Sequence, residues 1–183
     1  MDNKEIIILT GTPGTGKTTI AKMFCKKHKF AYFSLSSFAK KYKLYSKKDK
    51  DGALIVKLSQ LQKKANAFIS SSKKSAIIDG HLGADIKLNA NKIIILRLNP
   101  KNLSTRLSKR KYSKEKLSQN LLCEALDYCT ICSEKNYSPK KIFEIDATGM
   151  KKEKLLKKIE SIIFSKKPAK NKKIDFSSFL LSA

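Results

Sequence analysis

The nine residues GTPGTGKTT, at 11–19, follow the apolar run IIIL at 6–9, almost at the start of the chain. Three of only 7 glycines, Gly11, Gly14 and Gly16, fall within six positions. Without a Cβ the backbone can turn its N–H groups inward around an anion, and the dipole of a following helix adds to the attraction. The spacing Gly11-x4-Gly16-Lys17-Thr18 is that of a phosphate-binding loop, which works only between a buried strand and a helix. In that chemistry Lys17 bridges the β- and γ-phosphates of a nucleotide such as ATP, and the Thr18 hydroxyl serves Mg2+.

The rest of the chain keeps the alternation this demands. KEIIILT (4–10), AYFSL (31–35), SAIIDG (75–80), KIIILRL (92–98) and KIFEID (141–146) read as short strands, mostly apolar on both faces. Helical spacing is expected from Lys17 to about Lys29, Ala53 to Ile69, Pro100 to Lys109, Lys114 to Lys135 and Lys151 to Phe164, with Ser36 capping a short helix through Lys41. The polar stretch 40–52 reads as a mobile connection. Five buried strands separated by helices predict an α/β chain, a three-layer αβα sandwich on a five-stranded parallel sheet. Ligands then bind at the carboxyl ends of the strands.

The chain of 183 residues suffices for one domain with a real core. Its longest apolar runs are too short for a bilayer, and no leader pattern opens it, so a cytoplasmic protein without a membrane partner is expected. Its four cysteines should then be free thiols. Cys129-x2-Cys132 lies mid-helix with no second pair, which favours helix packing over zinc. The formal charge is +25, from 40 basic and 15 acidic residues. Lys is not matched by Glu, so such a field favours a polyanion such as RNA. Compositional drift towards Lys is the plainer alternative.

The arginines are more informative. There are three, and all fall between 97 and 110. Arg106 and Arg110 stand four apart on an expected helix, beside the basic connection RKYSKEKL (110–117). Two planar forks on a closing segment suit phosphoryl transfer, where they neutralise charge and keep water out. Arg97, at a strand end, either joins them or anchors the sheet. Asp79 ends the third strand and can hold Mg2+ through water, and His81 faces the same edge. His28, near the end of the first helix, suits its C-terminal dipole.

GTPGTGKTT, Asp79-x-His81 and above all RLSKRKYSKEKLSQNLLCEALD (106–127) together resemble a known family. It is that of the small archaeal adenylate kinases and their eukaryotic nuclear relatives linked to small ribosomal subunit maturation. The resemblance spans about 5–165. It implies a nucleoside monophosphate kinase-like fold with a short lid at about 109–119 and an AMP-binding segment at about 34–57. It implies that Gly14, Thr15, Gly16, Lys17, Thr18 and Thr19 contact ATP, that Arg110 reaches over it, and that Gly149 lies near the adenine. Ser36 and Lys40 open the AMP segment, Lys40 standing where family members usually carry Arg. It also implies ATP hydrolysis and a small-subunit ribosomal protein as partner. The charge adds rRNA, since a basic chain repels a basic protein.

Three readings follow: an adenylate kinase acting from a domain at 1–165, with a basic linker and tail at 166–183; a ribosome-assembly ATPase switch, acting in 16S rRNA maturation, whose kinase activity is incidental; or a small-metabolite kinase. The paired arginines beside a short lid favour the first over the third.

Overall fold

The computed structural model describes residues 4–50, 52–110, 112–165 and 173–181. Its centre is a five-stranded parallel sheet of β1 (Ile6–Thr10), β2 (Ala31–Ser34), β5 (Ala76–Asp79), β6 (Lys92–Arg97) and β7 (Ile142–Asp146), in spatial order β2-β5-β1-β6-β7. The three-layer α/β expectation is met. Alternation along each strand splits the core into two layers. Ile6 and Ile8 face one side with Ile78, Ile93 and Ile95, while Ile7 and Leu9 face the other with Ile77, Ile94 and Leu96. Helices α1 (Lys17–His28) and α7 (Lys152–Phe164) cover the second layer through Phe24, Ile159 and Ile163. Helices α2 (Leu35–Lys41), α3 (Leu58–Ser71) and α6 (Tyr128–Asn136) cover the first, through Phe38, Leu61 and Cys129. Ile7 and Ile8 are wholly buried, each worth about 2 kcal/mol or more of apolar burial.

Register places the chemistry. Leu9 pairs with Asp79 and Thr10 with Ile95, so the loop after β1 leaves the sheet beside the carboxyl end of β5. Gly16 sits in the left-handed region (φ 104°) and opens α1. Among the described residues no helix is long and apolar enough to cross a membrane.

Four expectations are corrected. The stretch 40–52 is not simply a connection, and the following helix does not begin at Ala53. Strands β3 (Tyr45–Lys48) and β4 (Leu54–Val56) form an antiparallel hairpin, and α3 starts at Leu58. Lys57 N–H donates to the Leu44 carbonyl at 3.0 Å, holding the end of the hairpin against the base from which it leaves. The long helix expected over 114–135 is two helices, α5 (Lys114–Ala125) and α6, broken at Asp127, whose φ is 53°. The short helix is capped by Ser34, which accepts from Ser37 N–H, and not by Ser36.

His28 and Lys27, at the end of α1, both meet Glu160 of α7, at 2.7 and 2.8 Å. His28 thus fastens two helices together. The tail segment 173–181 sets Phe179 and Leu180 beside Leu117, Leu121 and Leu122 of α5, so its apolar face docks on that helix. The basic linker expected at 166–172 lies outside the described residues.

Candidate active site

The loop is shaped by contact as well as by ligand demand. Gly11 has φ +132°, and a Cβ there would lie 2.3 Å from the Leu96 carbonyl oxygen. The first glycine is therefore fixed by the neighbouring strand. Thr15 is buried and turns its hydroxyl onto the Thr12 carbonyl at 3.0 Å, so its side chain is part of the loop and not of the cavity wall. Lys17 is buried and donates to the same carbonyl at 2.9 Å. Burial lowers its pKa to about 8, against the raising effect of Cys129 and Asp79.

Around the loop lies a cavity of about 590 Å3, whose walls include Gly14, Gly16, Lys17, Thr18, Thr19, Asp79, His81, Arg106 and Arg110. Both arginines thus line the same cavity as the loop. Helix α4 (Pro100–Ser108) brings Arg106 over it, its guanidinium 3.5 Å from the Gly14 carbonyl and 3.4 Å from that of Thr15. Arg110, just beyond α4, donates to the Tyr112 hydroxyl at 3.2 Å and lies 5.9 Å from that ring.

Asp79 is buried and pairs through one oxygen. Its Oδ2 accepts from Thr18 Oγ1 at 2.6 Å and from the Tyr32 hydroxyl at 2.7 Å. Its Oδ1 is buried without a hydrogen-bond partner among the described residues. A buried carboxylate oxygen left open next to a threonine that keeps both lone pairs is a donor set suited to a hydrated hard cation. The residues fit Mg2+. His81 opens onto the cleft, and burial there and then Lys17 lower its pKa.

A second cavity, of about 650 Å3, adjoins the first at Pro13, Ser36 and His81. Asp49 and Leu54 of the hairpin region form one wall, Lys116, Gln119 and Asn120 of α5 another, and Tyr128 and Cys129 of α6 a third. Two ion pairs cross its rim, Lys50 with Glu115 and Asp49 with Lys116. Ser36 therefore lies at the junction. Lys40, exposed near the end of α2, lines neither cavity, and neither does Gly149 in the turn after β7.

Arg97 does not reach the loop. It is 1% exposed and donates to Glu124 Oε1 and the Glu124 carbonyl at 2.9 Å, to Glu144 Oε1 at 2.9 Å and to Asp127 Oδ1. The tail adds the Ile174 carbonyl at 3.4 Å and the Phe176 ring at 5.3 Å. Burial alone would lower its pKa, but these carboxylates raise it. It anchors the sheet to α5, α6 and the tail. Cys129 and Cys132 pack into the core layer beneath α6, in keeping with the packing reading. The residue missed from the sequence is Tyr32, which no motif marks.

Comparison with known proteins places this architecture. An AAA domain family model, described as "AAA domain", matches residues 7–127. The "Putative adenylate kinase" of Methanocaldococcus jannaschii is 37% identical over 165 residues, covering 90% of this chain and 89% of that protein. The protein of the same name from Thermococcus kodakarensis is 35% identical, covering 86% and 85%. Among solved structures, shikimate kinase from Bacteroides thetaiotaomicron has a TM-score of 0.61 at 17% identity, over 86% of this chain and 97% of that one, a likeness of fold. With its loop, its paired arginines and this similarity over nearly its whole length, the chain belongs to the family of these archaeal adenylate kinase-named proteins, within the AAA domain group.

Proposed function

We propose that this protein is a nucleoside monophosphate kinase of the adenylate kinase type, converting ATP and AMP to two ADP. The observation that carries the reading is the junction of two cavities, one built on the phosphate loop and one between hairpin and lid helix, at Ser36 and His81. The names of the archaeal relatives support it. ATP lies with its phosphates on the backbone of Gly14–Thr19 and on Lys17. AMP lies in the second cavity. The kinase domain runs over 1–165, with the acceptor flap at 34–57 and the lid at 109–119. Lys40 takes part in AMP binding only as the flap moves, since it lines neither cavity.

The acceptor phosphate is already an anionic nucleophile, so no general base is needed and catalysis is positioning plus charge neutralisation. Lys17 draws charge from the β- and γ-oxygens. Arg106 and Arg110 neutralise the migrating group and shield it from water. His81, at the junction, offers a hydrogen bond from its ring. Thr18 and Asp79 would hold Mg2+, which would supply further neutralisation of the nucleotide's charge when bound. Without AMP, water takes the acceptor position and ATP is slowly hydrolysed.

The test is ADP formation from ATP alone, with AMP, and with other monophosphates. AMP should raise it severalfold above the rest, and Lys17→Ala should abolish it. If AMP adds nothing, the kinase reading fails.

The charge of +25 favours a second role, in the cytoplasm, as an assembly factor for the small ribosomal subunit through rRNA and a ribosomal protein. Co-sedimentation with small subunits should then weaken steeply with salt. Salt-independent binding would count against RNA contact.

A further inference from the structure

Asp79 sits in an unsymmetrical setting. Both hydroxyl donors, Thr18 and Tyr32, converge on Oδ2, while Oδ1 is buried and open. A carboxylate torsion is broad and nearly twofold, so nothing intrinsic tells the two oxygens apart. The donors break that symmetry. Thr18 lies in the loop and has a second duty towards the cation. Tyr32 has none.

The fold explains how it reaches. Edge strand β2 pairs with β5 so that Tyr32 lies opposite Ile77 and Ser34 opposite Asp79. Two residues along a strand is about 6.6 Å, a distance a tyrosyl side chain leaning along the strand can span. Tyr32 is 36% exposed on the cavity wall, with Lys22 Nζ 5.6 Å from its ring centre, so it contributes little to the core. A phenyl ring would pack there equally well. The hydroxyl is what touches the site.

We propose that Tyr32 is a positioning residue for the metal-side carboxylate. Its hydroxyl holds Asp79 Oδ2 and so keeps Oδ1 turned towards the hydrated divalent cation that accompanies the nucleotide. A tyrosine hydroxyl is protonated at physiological pH and so remains a donor to the carboxylate. The proposal rests on the nucleotide reading above and names a residue that reading does not need.

The test is Tyr32→Phe in the full chain, followed by thermal unfolding with saturating ADP over a Mg2+ titration, and by Mn2+ binding to the ADP complex in paramagnetic resonance. The half-saturating Mg2+ concentration should rise about fivefold, the size of one typical net hydrogen bond. The unfolding temperature and ADP affinity in EDTA should stay as in the wild type. In an Asp79→Asn background, Tyr32→Phe should add no further shift. An unchanged Mg2+ midpoint overturns the proposal, and so does a fall in metal-free stability with the midpoint unmoved. A wild-type chain with no ADP-dependent stabilisation would overturn the nucleotide reading itself and this proposal with it.

Discussion

The ammonium of Lys17 donates to the backbone carbonyl of Thr12 at 2.9 Å, inside the loop it is meant to serve. Its charge is costly there, and burial brings its pKa from 10.5 to about 8. A bound nucleotide phosphate would restore the protonated form. ADP affinity should therefore be highest below pH 8 and fall, by up to tenfold per unit, as pH rises above it. Binding should take up close to one proton at pH 9.5 and almost none at pH 7, measured by calorimetry in two buffers of different ionisation enthalpy. Stability of the free protein has the opposite sign. The folded pKa lies below the unfolded one, so the Lys17 contribution rises with pH between about 8 and 10.5. Lys17→Met should be more stable than wild type at pH 7, by about 1–3 kcal/mol, while losing nucleotide.

Arg97 and Glu124 form a pair in which both side chains are 1% exposed. Removing the guanidinium would leave the buried Glu124 without its ion-pair partner. Arg97→Ala should cost about 3–5 kcal/mol in urea unfolding. Arg97→Lys should rescue little, since one ammonium cannot reach acceptors on α5, β7 and the tail together. An Arg97→Lys protein of wild-type stability would reject this account.

The sheet, the loop and the paired arginines were legible because each is written locally. The strands are runs such as Ile6–Leu9, and Arg106 and Arg110 share one helical face. The break at Asp127 was not legible, because its cause is distant in sequence. Leu-Asp-Tyr continues a helical pattern, yet the aspartate leaves it to meet Arg97, which lies 30 residues earlier. The hairpin did carry a signal. Gly52, in the five-residue connection between YSKK and LIV, is a turn-forming residue with φ 76°, but the lysines of the hairpin lower strand propensity and masked it. Tyr32 was invisible for a third reason: its role depends on register between β2 and β5, which one strand alone does not reveal.

The hairpin and the lid helix are linked by Lys50–Glu115 and Asp49–Lys116 across the second cavity. Exposed pairs of this kind contribute about 0.2–1 kcal/mol each. That is too little to close the cavity, but enough to couple its two walls. Glu115→Lys should raise the KM for AMP two- to fivefold at low salt, with kcat for the saturated enzyme little changed. Lys50→Glu combined with Glu115→Lys should recover most of the loss. At about 0.5 M salt the variants should converge, because the Debye length there is shorter than the reach of these side chains. A defect that persisted in high salt would mean that Glu115 acts otherwise than by charge.

Arg106 and Arg110 divide their work differently. Arg106 rests at 3.4–3.5 Å from two loop carbonyls, long for strong hydrogen bonds, so its donors are only weakly engaged without a phosphate. Arg110 is engaged by Tyr112, itself half-buried on the lid side, and must release that hydroxyl to swing inward. Arg106→Lys should lower kcat by about 100-fold or more, with little change in ADP affinity, as for a group whose contact strengthens as charge moves. Tyr112→Phe should act chiefly through Arg110, although Tyr112 also lines the second cavity. It frees that guanidinium, so the apparent affinity for ATP should rise slightly while kcat holds or falls through slower release. Single-turnover and steady-state rates measured side by side would separate the two effects. An Arg106→Lys enzyme with wild-type kcat would show that the guanidinium over the loop is scaffolding, and that charge on the moving phosphoryl group is met elsewhere.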